Sequence, residues 1–147
     1  MEKKRFIAVA ALAAFAAAAL AQSDLVQVLP DQIKWNNAPP GVTKDAQAAV
    51  LSGPLDKPVL YTQRVHLAPG GMVMPHTHPD ARYTTVLSGD LYVGVGETVD
   101  AATATRYPAG SFLVMPAGKA HYSWAKDGEV VYQESGIGPT GTNFLKK

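Results

Sequence analysis

His76 and His78 stand one residue apart in the run Pro75-His76-Thr77-His78, and His121 supplies a third imidazole further along the chain. Residues two apart on a β-strand project to the same face, so the first two rings can reach a single point. Neutral imidazole is a borderline-soft ligand suited to a divalent ion such as iron, zinc, manganese, nickel or copper. Three such ligands leave coordination positions free for water or substrate. On its own, a His-x-His pair is equally compatible with a polar strand face, because short motifs are permissive. The fourth histidine, His66, lies in a separate apolar-rich run and reads as a structural or surface residue.

The segments that must position these rings are short and β-prone. Val59–Leu67 precedes Pro69-Gly70-Gly71, and Tyr83–Leu87 runs into Ser88-Gly89-Asp90, with Leu91–Val95 directly after. Phe112–Met115 sits between Gly110 and Pro116, while Lys119–Lys126 and Glu129–Ser135 flank Asp127-Gly128. Short strands at regular spacing with Gly/Pro turns indicate an all-β sandwich or barrel. No sustained 3.6-residue apolar period marks a major helix; at most a short one precedes Leu51.

Two spaced patterns sharpen this reading. Gly70, His76, His78 and Gly89 resemble the first cupin motif, G-x5-H-x-H-x3,4-E-x6-G. Gly110, Pro116, Gly118 and His121 resemble the second, G-x5-P-x-G-x2-H-x3-N. The resemblance covers about residues 59–136 and implies a double-stranded β-helix, the jelly-roll barrel of cupins, with a metal site of His76, His78 and His121 inside one end. Gly70, Gly89 and Gly110 fall where the chain turns between strands, and glycine supplies positive φ there. Pro116 and Gly118 put a bend just before His121.

The chain departs from the family pattern at two places. The first motif's glutamate position falls on Arg82 or Tyr83, and the second motif's asparagine is Ala125. A unit positive charge about 5 Å from a dication costs roughly 6–7 kcal/mol at an effective dielectric near 20. Arg82 must therefore turn away, pair with a carboxylate such as Asp80, or hold an anion bridging to the metal. Three neutral imidazoles leave a divalent charge uncompensated, which favours an anionic ligand and makes Arg82 a candidate substrate-binding residue. The Lys119–Ser135 hairpin offers a further acid. With a two-residue turn His121 faces Glu134; with a three-residue loop it faces Gln133. The resemblance favours Gln133, a second substrate-binding candidate. Asp80 reads as a turn residue rather than a ligand.

The N-terminus resembles a secretory signal peptide. Lys3, Lys4 and Arg5 precede an apolar stretch, Phe6–Leu20, and Ala19-Leu20-Ala21 suits cleavage after Ala21. The run falls short of the roughly 20 residues that span a bilayer. The expected organisation is a cleaved signal over 1–21, an arm over 22–45, a barrel over 46–136 and a loose tail over 137–147. The expected location is the periplasm or the exterior. The 13 basic and 12 acidic side chains of the full chain leave no basic stripe for nucleic acid. Without cysteine there are no disulfides, so stability rests on the core. A homodimer paired through Leu25–Leu29 is a further expectation. Three-histidine cupins are similar to dioxygenases that cleave diketones, oxidise thiols or open flavonol rings. The alternative is a non-catalytic module that binds or senses a small ligand, since one fold serves both.

Overall fold

The computed structural model describes residues 25–37, 41–43 and 46–146. Segment 1–21, expected to be a signal peptide, lies outside the described residues. Among the described residues eleven strands follow one another with one short 3-10 turn, Pro30–Gln32. They are β1 (Asn36–Asn37), β2 (Gln47–Ser52), β3 (Leu60–Leu67), β4 (Met72–Thr77), β5 (Arg82–Ser88) and β6 (Asp90–Val95). The second half contributes β7 (Thr105–Pro108), β8 (Phe112–Met115), β9 (His121–Trp124), β10 (Val130–Ile137) and β11 (Asn143–Phe144). Among the described residues no helix is long and apolar enough to cross a membrane.

Two antiparallel sheets face each other, ordered β1-β2-β3-β10-β5-β8 and β11-β4-β9-β6-β7. The pairing is nested: β3 with β10, β4 with β9, β5 with β8, and β6 with β7. One long antiparallel ribbon has been wound so that successive segments alternate between sheets, which is the double-stranded β-helix. Between the sheets, Leu67, Val73, Val86, Leu91, Val93, Met115, Val130 and Tyr132 form the buried core. Alternation along β10 generates this cleanly, with Val130, Tyr132 and Glu134 inward and Val131, Gln133 and Ser135 outward.

Two glycines are demanded by the winding. Gly89, at φ 73°, turns β5 into β6 where an added Cβ would fall 2.1 Å from the Glu129 carbonyl oxygen. Gly136 has no left-handed backbone, yet a Cβ there would lie 2.5 Å from Asp80 Oδ2 and 2.6 Å from the Tyr61 hydroxyl. Gly70, Gly110 and Gly118 also have the positive φ expected of turn glycines.

Several sequence expectations are corrected. Residues before Leu51 form strand β2, paired between β1 and β3 in the first sheet, not a short helix. Leu25–Leu29 is exposed chain outside any strand, so the strand proposed for dimer pairing is not formed. The segment after Ile137 is no loose tail: β11 pairs with β4, placing Phe144 opposite His76, and Leu145 N–H donates to the Pro75 carbonyl. The hairpin expected between Lys119 and Ser135 does not form. Strand β9 bonds to β4 and β6, and β10 to β3 and β5, so the Asp127-Gly128 turn carries the chain from one sheet to the other.

Candidate functional site

Val73, the second residue of strand β4, faces inward, and an irregularity between Val73 and His76 shifts the alternation. The shift lets His76 and His78 share the inner face with Val73 despite the odd spacing between Val73 and His76. His76 then sits directly across the ladder from His121, the first residue of β9. The bend before His121 is anchored to the other pair, because Gly118 N–H donates to the His78 carbonyl at 2.8 Å. All three rings are buried. Their ring centroids lie 4.2–5.3 Å apart, and one nitrogen from each lies within 4.8 Å of those of the other two.

Hydrogen bonds decide which nitrogen faces inward. His76 Nδ1 meets the Met74 carbonyl at 2.6 Å, His78 Nδ1 the Gly141 carbonyl at 2.7 Å, and His121 Nδ1 the Lys119 carbonyl at 2.9 Å. A carbonyl only accepts, so each Nδ1 carries the proton and each Nε2 presents a lone pair. Arg82 Nη2 also approaches His78 Nδ1, at 3.1 Å. That nitrogen has acceptors of its own in Thr140 and Gly141, so the shorter contact to the carbonyl sets the tautomer. The consequence is electrostatic. His76 Nε2 and His78 Nε2 stand 3.1 Å apart, two lone pairs facing one another with no proton between them. Two bonds of about 2.0–2.1 Å to a common ion span a gap of this size. Backbone carbonyls orienting the far nitrogens are the usual support of metal-ligating histidines. The donor set therefore fits a divalent cation.

Burial holds the imidazoles neutral, as a cation requires. His76 is pushed down to about 3, first by burial and then by the neighbouring His121. His78 is lowered by burial and then by Arg82, and His121 is lowered mainly by burial.

Arg82 neither turns away nor stands free. It is 2% exposed, and its Nη1 donates to Glu134 Oε2 at 2.7 Å. Its Nη2 donates to Thr140 Oγ1 at 2.8 Å, and its Nε lies 3.4 Å from Asp80 Oδ2, an ion-pair contact without hydrogen-bond alignment. Asp80 in turn accepts from the Tyr61 hydroxyl at 2.5 Å and from the Thr140 hydroxyl. Arg82, Asp80 and Glu134 together carry one net negative charge. The positive surplus expected from an unpaired Arg82 is thus reversed, because two buried carboxylates enclose it.

Gln133 is placed on the outer face of β10, where Arg64 Nη2 donates to its side-chain oxygen at 2.8 Å; it does not line the cavity. Glu134 is the inward residue, since alternation within β10 is set by its partners β3 and β5 rather than by β9. His66 lies away from the triad, 3.3 Å from Glu129. Sequence reasoning did not single out Tyr61, Thr140 or Gly141. No local pattern marks them, and only the return of the C-terminal segment past β4 brings Thr140 and Gly141 to the site. A cavity of about 330 Å³ opens onto His76, His78, Arg82 and Glu134. A small internal gap lined by Thr84, Met115, His121, Tyr132 and Glu134 joins His121 to the core.

Comparison with known proteins agrees with this geometry. The Cupin domain family matches residues 63–135, the stretch that contains both motifs and all three histidines of the triad. The chain belongs to the cupin superfamily. Among cupin relatives, Germin-like protein subfamily T member 2 of Arabidopsis thaliana is 33% identical over 91 residues, or 60% of this chain. The aligned part spans 41% of that relative's length. In solved structures the barrel is similar to the polyketide cyclase RemF of Streptomyces resistomycificus, with a TM-score of 0.70 at 15% identity. That match covers 84% of this chain and 87% of the other. It is also similar to an oxalate oxidase, with a TM-score of 0.56 at 24% identity over 75% of this cupin and 58% of that chain. At these identities the structural likeness speaks for the fold.

Proposed function

We propose that this cupin is an exported metal protein in which His76, His78 and His121 hold one divalent ion, and that it is a dioxygenase of small enolisable substrates. The observation that carries the metal reading is the set of three Nδ1–carbonyl hydrogen bonds, which leaves three Nε2 lone pairs converging in a buried site. When bound, such an ion supplies Lewis acidity and, if it is redox-active, one-electron chemistry with dioxygen. The protein's residues do the rest. The imidazoles stay neutral through burial, the carbonyls of Met74, Lys119 and Gly141 fix their orientation, and the cavity walls exclude bulk water from a bound substrate. Dioxygen is the oxidant and both its atoms pass into product, so no external reductant is needed. Support for an oxidative role comes from the oxalate oxidase of similar fold, and support for export from the Phe6–Leu20 apolar run.

Oxygen uptake tests this reading. Iron-loaded protein should consume oxygen above background with at least one member of a panel of diketones, thiols and flavonols, and His121→Ala should abolish it. A second reading, a non-catalytic ligand carrier, is favoured by one observation: Asp80, Arg82 and Glu134 are bound to one another, so the site holds no free acid–base pair. Background oxygen uptake across the panel, with tight ligand binding, selects that reading. Cleavage after Ala21 is checked by mass spectrometry of the exported protein.

A further inference from the structure

The polar groups that face the cavity have a bias that bears on which molecules can enter it, given the metal reading above. Arg82 is the only formally cationic side chain that lines the cavity among the described residues. Its Nη1 and Nη2 are hydrogen-bonded to Glu134 and Thr140, and its Nε faces Asp80. A buried guanidinium held by two carboxylates offers no open fork to a substrate carboxylate. The acceptors are different. Both hydrogen bonds received by Glu134, from Arg82 Nη1 and from Gln63 Nε2, go to Oε2. Its Oε1 accepts none among the described residues, and Glu134 lines the cavity beside His76 and His78.

Charge and wall chemistry point the same way. With three neutral imidazoles and one net negative charge on Arg82, Asp80 and Glu134, a divalent ion leaves the site with one positive charge. A ligand that gives up one proton neutralises it, whereas a dianion leaves a buried negative charge beside Glu134, which is costly. Most of the remaining wall is apolar, built from Val42, Val50, Leu55, Val65, Val73 and Phe144, with the uncharged polar side chains of Asn36, Gln47, Ser123 and Thr142 among them. The volume of about 330 Å³ is at the small end for ligand pockets, room for one substituted ring.

We infer that the site selects a small apolar molecule that is uncharged in water and carries two neighbouring hydroxyl or enol groups. One oxygen loses its proton to solvent and faces the histidines, and the other keeps its hydrogen and donates to Glu134 Oε1. Dicarboxylates are rejected, because they bring two charges, no donor, and find no free cation on the wall. Glu134 is the specificity-determining residue.

The test uses the full-length protein loaded with cobalt(II), with catechol and oxalate as probes followed by calorimetry and by the visible cobalt spectrum. Cobalt stoichiometry is measured first, on the parent and on His76→Ala. On charge alone a free dication favours the dianion, so a preference for catechol must come from the protein. Catechol should bind at least tenfold more tightly than oxalate, with a change in the cobalt spectrum. Glu134→Gln should weaken catechol binding about tenfold or more and narrow the gap to oxalate, with cobalt still bound. Oxalate binding as tightly as catechol, or neither probe binding to cobalt-loaded protein, overturns the inference while leaving the metal reading intact. Failure of the parent to bind cobalt overturns both. The comparison of probes on the parent stands whether or not the Glu134 variant folds.

Discussion

Replacing Arg82 by methionine tests the enclosed ion triad directly. The guanidinium is 2% exposed and touches Glu134 at 2.7 Å and Asp80 at 3.4 Å. Removing it leaves two buried carboxylates without their cation, although Tyr61, Thr140 and Gln63 still donate to them. Breaking a buried pair by deleting one partner costs roughly 3–5 kcal/mol, and those surviving donors argue for the lower half of that range. For a domain of this size each kilocalorie moves the melting temperature by about 3–5 °C, so metal-free Arg82→Met should melt roughly 10–15 °C below the parent. Removing one carboxylate as well should restore part of the loss. The double variant Arg82→Met/Glu134→Gln should therefore show a coupling of at least ~1 kcal/mol in a denaturant-unfolding cycle. A divalent ion opposes the surplus negative charge, so the deficit should shrink in metal-loaded protein. If metal-free Arg82→Met unfolds within ~1 kcal/mol of the parent and the cycle is additive, the triad is not the balanced cluster described.

Gly136→Ala should destabilise by about 1–3 kcal/mol, because its Cβ would meet Asp80 and the Tyr61 hydroxyl, while Gly128→Ala, which meets nothing within 4 Å, should be nearly silent. Thermal melts of the two variants side by side check this. Burial raises the Tyr132 and Tyr61 hydroxyls above their ordinary range. Their neutral forms are held in the fold while the unfolded chain ionises above pH ~10, so their contribution is complete below that pH and is lost as pH rises through it. Phenolate absorbance for these two should appear only with unfolding, and early ionisation without loss of structure would contradict their burial. Truncation after Ile137 removes the Gly141 carbonyl that orients His78 and should weaken metal binding about 10–100-fold, measured by competition with a chelator.

The triad was legible in the sequence because its ingredients are local. His76 and His78 need only strand periodicity to share a face, and Gly118 sets the turn before His121. The barrel was legible because turn residues recur between short apolar runs. The face presented by β10 was not, since Gln133 and Glu134 differ by a single step of alternation and the choice depends on which strands flank them. The environment of Arg82 was legible only in part, because Asp80 lies two residues away while Glu134 arrives from a strand far along the chain. The C-terminal segment carried no periodic signal. Its place beside His78 follows from pairing of Asn143 and Phe144 with β4, a contact distant in sequence. The Leu25–Leu29 run has the apolar composition of a strand, yet is exposed chain outside both sheets, where composition alone does not supply a ladder.

The central claim is that His76, His78 and His121 bind one divalent ion through Nε2, and elemental analysis of protein purified from its native compartment without chelators tests it most directly. About one divalent ion per chain is expected in the parent and in His66→Ala, falling to background in His76→Ala and in His121→Ala. A parent without metal, or a His76→Ala variant that keeps a full complement, would contradict the account.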